Sequence, residues 1–221
     1  MEFDAAYNRV MHQLLFEAES KKMTAIFPGG FKPPHKGHFE LAKSYATNPL
    51  IETVKILLGP TERTSNDGSI VVGMEQSKLI WEQYYLPELP LGIVQIVTMV
   101  NPNPMRQAFD YIQENAFEGD IITLVSSQKD AKDAQRSLDF SKKHQEGSGK
   151  YYRQGVNVAH HPTDTVAYYA DRTDKKNNTA ISASTMREDA AKGDIVNFTT
   201  NIPEEVQQYA ADILNIITTN K

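Results

Sequence analysis

Residues 23–38 read MTAIFPGGFKPPHKGH, and this stretch decides the fold. Its first five residues are mostly apolar, which predicts a short buried strand. The Pro-Gly-Gly turn ends that strand, because proline cannot donate to a strand ladder and glycine accepts unusual backbone angles. Residues 37–47 then carry apolar side chains at helical spacing, and an Asn-Pro pair stops the helix. Strand, glycine-rich turn and helix therefore follow one another.

The same order recurs along the chain. Runs rich in β-branched residues predict further strands, at 53–58, 92–100, 120–125 and 155–159. Helical spacing predicts helices at 74–85 and 104–115, and polar composition predicts a loop over 59–68. Strands that alternate with helices pair in parallel through right-handed crossovers, so both faces of the sheet are covered. The expected fold is an α/β doubly wound, Rossmann-like parallel sheet of five strands.

The sequence predicts a helical extension on each side of this unit. Residues 1–22 form an amphipathic N-terminal extension, and residues 193–221 form a C-terminal helical extension that packs on the same domain. The domain between them covers residues 23–192. The apolar stripe over residues 204–217 fits burial within one chain or across a two-fold axis, so the sequence is compatible with a homo-oligomer.

Two polar, cationic segments interrupt this pattern, at residues 141–155 and 171–179. Both are rich in Gly or Asn, a composition that is typical of exposed surface loops. The alternative is a lid over a phosphate site, since long loops near a site often serve as lids.

Composition restricts the class of protein. Of the 221 residues, 40% are hydrophobic and 23% charged, which is the balance of a globular domain with a core. The absence of cysteine excludes disulfides, zinc ribbons and thiol catalysis. A net charge of −5 argues against sequence-independent nucleic-acid binding. No apolar run approaches the ~18 residues of a membrane span. We therefore expect a cytoplasmic protein with neither a nucleic acid nor a membrane as its partner.

Two histidines open the helix that follows the first strand. His35 and His38 lie three residues apart, so their side chains share one face of the helix. Gly37 removes a side chain where a ligand would approach the backbone. The helix N-terminus is expected to offer unsatisfied N–H groups and partial positive charge to an anion. This combination suits a polyphosphate; the alternative is a helix N-terminus with two solvated histidines.

A second cluster, ISASTMR at residues 181–187, begins a late helix. Ser182, Ser184 and Thr185 can cap that helix or bind phosphate oxygens. Arg187 lies one turn further along, where a guanidinium would make bidentate, charge-assisted bonds to the same phosphates, or else a surface ion pair. Ligands of open α/β sheets lie at the carboxyl edge where neighbouring crossovers diverge. Both clusters are therefore expected in one site.

The HxGH tetrad and the ISxSxxR signature resemble the motifs of the nucleotidylyltransferase superfamily, and the resemblance extends over residues 23–192. The segment GGFKPPHKGH is most similar to members often encoded by bacteriophages. The resemblance implies a strand order of 3-2-1-4-5. It also implies that a phosphorylated acceptor attacks the α-phosphorus of a nucleoside triphosphate (NTP) and that pyrophosphate leaves. His35 and His38 would contact the phosphates around the scissile bond, and Arg187 would hold the β and γ phosphates. Residues expected at the nucleotide are Phe27, Gly29, Gly30, Phe31, Gly37, Ser182, Ser184 and Thr185. Mg²⁺ would be held through the NTP phosphates, with no metal ligands expected from the protein.

The acceptor side departs from the pattern of that family. Lys32 stands where many relatives carry an acidic residue, which suggests an added phosphate contact or plain solvent exposure. Gly30 replaces a side chain that touches the acceptor in many relatives. Arg63 and Arg106 follow strand ends and could reach the acceptor, or else form structural ion pairs. Asp130 is out of register with the GxD of nicotinamide-mononucleotide (NMN) adenylyltransferases, but it could stand in for it.

The resulting hypothesis is an enzyme that transfers a nucleoside monophosphate from an NTP to a small phosphorylated acceptor, with AMP preferred to CMP. A cytidylyltransferase acting on a lipid or sugar phosphate is the alternative among enzymes. A non-catalytic nucleotide-binding module, recruited for assembly through its terminal amphipathic helices, is the alternative from another class.

Overall fold

Five parallel strands form the central sheet of the computed structural model, which describes residues 22–126, 131–147, 149–161, 173–174, 179–180 and 182–219. The strands, in chain order, are β1 (Met23–Gly29), β2 (Ile51–Leu58), β3 (Arg63–Thr64), β4 (Val71–Val72), β5 (Val94–Thr98), β6 (Ile121–Leu124), β7 (Asn157–Ala159), β8 (Thr173–Asp174) and β9 (Thr179–Ala180). The sheet has the order β5-β2-β1-β6-β7, and every neighbouring pair is parallel. Counted among themselves, these strands run 3-2-1-4-5, which confirms the predicted α/β doubly wound fold.

Two short hairpins accompany the sheet where the sequence predicts loops. β3 pairs antiparallel with β4, and β8 pairs antiparallel with β9. Strands of two residues leave no hydrophobic alternation in the sequence, so these hairpins could not be predicted from it. The turn of the first hairpin is held by Asp67, whose carboxylate accepts from the hydroxyl of Ser65 at 2.6 Å and from the backbone N–H of Ser69 at 3.0 Å.

Helices cover the sheet, largely at the predicted positions. They are α1 (Lys36–Ala46), α2 (Met74–Ile80), α3 (Pro104–Asn115), α4 (Ala131–Lys142), α5 (Ala183–Ala191), α6 (Ile195–Thr200) and α7 (Ala210–Thr218). The predicted helix at 74–85 changes at Trp81 into one π-helical turn, Trp81–Tyr85, and then a 3-10 turn, Leu86–Glu88. Among the described residues, no helix combines the length and the apolar character that crossing a membrane requires.

Helix α4 was not predicted, and its last residues fall in the segment 141–155 that the sequence marks as a loop or lid. Its sequence, AKDAQRSLDFSK, is mostly polar, and the side chains it buries include Ser137, Phe140 and Ser141. So few apolar residues at helical spacing give no recognisable stripe.

Both faces of the sheet are buried, as the doubly wound arrangement requires. Alternate residues of β1 enter different clusters, because successive side chains of a strand point to opposite faces. Ala25 and Phe27 pack in one cluster with α1, α2 and the C-terminal helices. Ile26 packs in a second cluster with α3 and with Phe140 of α4.

The C-terminal segment packs on the same cluster as α1. The apolar stripe runs through a 3-10 helix, Glu204–Tyr209, and then α7, and its buried members are Val206, Ala210, Ile213 and Ile217. Of the two alternatives for this stripe, the structure shows burial within one chain. The predicted N-terminal helix lies outside the described residues, except for Lys22.

Helix α1, which carries both histidines, is tied to the rest of the fold at each end. Its first backbone N–H, that of Lys36, donates to the carbonyl of Asn201 at 2.8 Å. Further along, the Lys43 ammonium pairs with the Glu205 carboxylate at 2.5 Å. Near its last residue, the buried Tyr45 hydroxyl lies at the ends of β6 and β7. The position of the histidines therefore depends on segments far away in the sequence.

Replacing Tyr45 with Phe is expected to lower the free energy of unfolding by about 1–3 kcal/mol. The hydroxyl accepts from the Ser126 N–H at 2.9 Å and lies 2.8 Å from the Ser126 carbonyl and 2.9 Å from that of His161. Its loss leaves these buried groups without their partner. Chemical denaturation measures the change, and Tyr209→Phe, at a side chain 38% exposed, is the matched control. Equal stability of the two variants would contradict this role.

Candidate functional site

The two histidines lie at the point where the sheet reverses its strand order. β1 ends at Gly29, and α1 begins at Lys36 after His35 caps it. The chain continues from β1 to β2 on one side, whereas β6 lies on the other side of β1. In open α/β sheets, crevices at such switch points hold ligands. The sheet therefore places His35 and His38 where a ligand is expected.

The imidazole rings of His35 and His38 are stacked, with centroids 3.7 Å apart and an interplanar angle of 27°. His35 Nδ1 accepts the backbone N–H of Gly37 at 3.1 Å, and His38 Nδ1 accepts the backbone N–H of His35 at 3.3 Å. A ring nitrogen that accepts carries no proton, so in each neutral ring the proton is on Nε2. The capping contacts thus set both tautomers and place the proton of each neutral ring on Nε2.

The first backbone N–H groups of α1 are already satisfied within the protein. Lys36 N donates to Asn201 O at 2.8 Å, and His38 N donates to His35 O at 2.9 Å. Gly37 N donates to His35 Nδ1, as described above. The expectation that these groups would be open to an anion is therefore wrong, because a distant carbonyl and a capping ring occupy them.

Buried aromatic rings pack against the histidine pair on the core side. Phe31 is 1% exposed and has a φ of 47°, and its ring meets that of His38 edge-on at 4.8 Å. The same ring packs edge-on against Phe27 at 5.0 Å and Trp81 at 5.9 Å. Phe27 and Phe31, expected at the nucleotide, therefore lie in the core beneath the histidines. Trp81 is a fully buried core residue, as a tryptophan in the predicted helix at 74–85 would be expected to be.

Arg187 joins three separate segments and is only 8% exposed. Its guanidinium donates to the carbonyls of Lys32 and Thr64, the latter at 2.9 Å, and to the Ser184 hydroxyl at 3.1 Å. Burial lowers the pKa of this guanidinium, and the charge of Arg63 lowers it further. Three of its five N–H donors bond to described residues of the protein, and the other two have no partner within that part of the chain. The surface ion pair considered from sequence is not formed with the described residues.

The N-terminus of α5 differs from that of α1. Ser182 caps it, because its hydroxyl accepts the Thr185 N–H at 3.1 Å and lies 2.9 Å from the Thr185 hydroxyl. The N–H groups of Ala183 and Ser184 have no hydrogen-bond partner within the described part of the chain. The open N–H groups expected at an anion site therefore occur at α5, next to Arg187.

Lys32 is 2% exposed, so the alternative of plain solvent exposure is wrong. Its Nζ donates to the carbonyl of Gly59 at 3.2 Å, at the end of β2. Burial lowers the pKa of Lys32 to about 8, against the opposing attraction of Glu75 and Glu62. Arg63 is exposed and lines the same small cavity as Lys32.

The other residues predicted on the acceptor side do not join this cluster. Arg106 pairs with Asp110 at 2.8 Å and donates to the Tyr151 hydroxyl at 3.4 Å, which is the structural ion pair considered from sequence. Asp130 lies outside the described residues. A larger cavity of about 650 Å³, lined by α3 and α4 residues such as Met105 and Phe140, contains none of the predicted site residues.

No group of three or more His, Cys, Asp or Glu side chains that could hold a metal ion occurs among the described residues. The side chains described here therefore do not fit a resident metal ion.

Comparison with known proteins adds little to this geometry. No family model matches the chain, and no curated protein matches it. Two solved structures of a bifunctional NMN adenylyltransferase/ADP ribose pyrophosphatase from Francisella tularensis are similar to it, one of them complexed with AMP and Mn ion. That complex has 13% identity and a TM-score of 0.46, covering 90% of this chain and 52% of the other. The second has 13% identity and a TM-score of 0.49, covering 90% and 53%. The chain spans about half the length of these proteins, and such low similarity supports no conclusion about activity.

Gly29 and Gly30 form a matched pair for a test of this turn. A Cβ on Gly29 would lie 2.4 Å from Phe31 Cζ, whereas a Cβ on Gly30 would meet nothing within 4 Å. Gly29→Ala is expected to displace the Phe31 ring and lower the free energy of unfolding by about 1–3 kcal/mol. Gly30→Ala is expected to leave stability unchanged or to raise it by about 0.4–1 kcal/mol. Denaturant titration of both variants is the measurement, and a stable Gly29→Ala would show that the ring does not need this glycine.

Proposed function

We propose that the chain is a nucleotidylyltransferase that transfers a nucleoside monophosphate, AMP ahead of CMP, from an NTP to a small phosphorylated acceptor and releases pyrophosphate. The observation that carries this proposal is the pair of Nε2–H donors of His35 and His38 at the switch point of the sheet. Two adjacent imidazole donors whose tautomers are set by the backbone suit phosphate oxygens, which only accept hydrogen bonds.

This reaction needs no nucleophile from the protein. A phosphate monoester is already ionised at neutral pH, so its oxygen attacks the α-phosphorus directly. The bond from that phosphorus to the bridging oxygen breaks, and pyrophosphate leaves with the electron pair. The protein has to align the reactants and stabilise the charge of the transition state. We assign that stabilisation to the Nε2–H groups of His38 and His35, with His38 as the principal donor.

The leaving pyrophosphate requires its own donors. Within the described residues, two guanidinium N–H groups of Arg187 have no protein partner, and neither do the backbone N–H groups of Ala183 and Ser184 at the start of α5. We propose that these groups hold the β and γ phosphates, because charge-assisted bonds and a helix N-terminus both favour anions.

Magnesium belongs to the substrate in this proposal. No group of three or more His, Cys, Asp or Glu side chains that could hold a metal ion occurs among the described residues. In this proposal Mg²⁺ would enter as the complex of the NTP and keep most of its water ligands.

The test is pyrophosphate release from each of the four NTPs with a panel of phosphate monoesters, with and without Mg²⁺. Release with one NTP and one acceptor would identify both substrates, and CTP in place of ATP would favour the cytidylyltransferase. His38→Ala is expected to lower kcat by about 10²–10³-fold, as loss of a transition-state donor does. The fold should persist, because the His35 Nδ1 contact to Gly37 N remains and only the His38 half of the capping box is lost.

The variant His35→Asn distinguishes the role of His35 as the helix cap from its proposed role as a donor in the reaction. Asparagine is a favourable N-cap, so the helix should keep its stability while the Nε2–H donor is lost. We expect kcat to fall with little change in melting temperature. Turnover that survives both histidine variants would contradict the proposal. NTP binding with no release of pyrophosphate from the NTP, whichever acceptor is supplied, would favour the non-catalytic module.

A further inference from the structure

Lys32 is a buried cation with unused hydrogen-bond donors. An ammonium has three N–H donors, and within the described residues the partner of Nζ is the single carbonyl of Gly59. No described carboxylate lies within ion-pair distance of it, although Glu62 and Glu75 attract it from further away. Burying a charge without a partner costs free energy. The position is therefore suited to an anion that the protein itself does not supply.

A cavity of about 30 Å³ lies beside this ammonium, lined by the ends of β1 and β2 and the start of α3. Gln107 lines the same cavity. Its Nε2 donates to Asn101 O at 2.6 Å, and its buried Oε1 has no hydrogen-bond partner in the described ranges of the chain. The space admits a water molecule or one or two phosphate oxygens. Gly30, which is exposed and has open space around it, leaves one side of this cavity uncovered.

We propose that Lys32 and Gln107 form the subsite for the acceptor, and that the acceptor is a phosphate monoester carrying a hydroxyl or amino group near its phosphate. Lys32 Nζ donates to a non-bridging oxygen of that phosphate, and Arg63 lies at the exposed rim. Gln107 Oε1 accepts from the hydroxyl or amino group. The inference rests on the proposed function, because it assigns the second substrate of the same reaction.

The unpaired Gln107 oxygen distinguishes the acceptor from the NTP. The ionised phosphates of an NTP have no hydrogen to donate, so they would leave this buried oxygen unsatisfied. A hydroxylated or aminated monoester offers an anion for Lys32 and a donor for Gln107 together. The backbone of Lys32 is also fixed, because its carbonyl accepts from Arg187. The acceptor and the β and γ phosphates are thereby held on opposite sides of one short turn.

Binding should depend on pH through Lys32. Glu62, Arg63, Glu75 and Arg187 are the charged groups around it, and its pKa in the free protein is about 8. A dianion binds the ammonium form, so the free protein must take up a proton above that pH. Affinity should be flat below pH 8 and fall about tenfold per pH unit above it. Monoesters have a second pKa of about 6, so the ligand itself stays dianionic over this range.

The experiment is calorimetric titration of the full chain, saturated with α,β-methylene-ATP and Mg²⁺, with two probes. Glycerol 3-phosphate has hydroxyl groups, and methyl phosphate has none. Lys32→Met is expected to weaken both probes by about tenfold or more and to abolish the fall above pH 8. Gln107→Met is expected to weaken glycerol 3-phosphate alone. Lys55→Met, at a half-buried lysine of β2 that bonds Gln95, is the matched control and should bind both probes as the wild type does.

Unchanged probe affinity in Lys32→Met would overturn the assignment. An equal loss of affinity for α,β-methylene-ATP in Lys32→Met would also overturn it, because Lys32 would then bind the NTP rather than the acceptor. The melting temperature of Lys32→Met shows whether that variant folds. If it does not fold, Lys32→Gln takes its place in the same titrations. These titrations need no turnover. Probe binding at the subsite without any release of pyrophosphate would therefore refute the proposed function and leave the subsite assignment intact.

Discussion

The buried guanidinium of Arg187 connects the parts of the site to one another. It lies on α5, and it donates to carbonyls in the turn after β1 and in the β3–β4 hairpin. Hydrogen bonds that involve a charged donor contribute about 1.5–3 kcal/mol each, more than neutral ones do. A second contact reinforces this link, because the Glu188 carboxylate accepts from Asn66 N at 2.7 Å in the hairpin turn. Hydrogen bonds therefore connect the turn, the hairpin and α5 to one another.

The histidine pair shows how one set of contacts supports both folding and chemistry. His35 Nδ1 stabilises the first turn of α1, and the same contact places the ring proton on Nε2. Asn201 occupies the first amide of α1 from the C-terminal segment. The C-terminal segment is thus part of the site's support although it contributes no side chain to the proposed chemistry.

Prediction from sequence succeeded where the signal is local. The start of α3 at Pro104 was predicted correctly, because Asn103 and Pro104 form a cap and a first-turn proline that act on their own helix. The parallel doubly wound sheet followed from the alternation of strands and helices, whereas the strand order was implied only by the family resemblance. Prediction failed for α4, the short hairpins and the open amides of α1. The amide of Lys36 in α1 is bonded by a residue far away in the chain. Helix α4 and the short hairpins have no periodic pattern of apolar residues in the sequence.

The sequence by itself determined the order of elements, the doubly wound sheet and the residues of the two motifs, because hydrophobic period, turn residues and caps act over a few positions. The tertiary structure decided which donors remain for a ligand. It gave the first amide of α1 to Asn201 and buried Lys32 in the same cavity as Gln107. It also left the amides of Ala183 and Ser184 without a partner among the described residues. Hydrogen-bond satisfaction and desolvation depend on neighbours brought together by the fold, so composition and spacing cannot specify them.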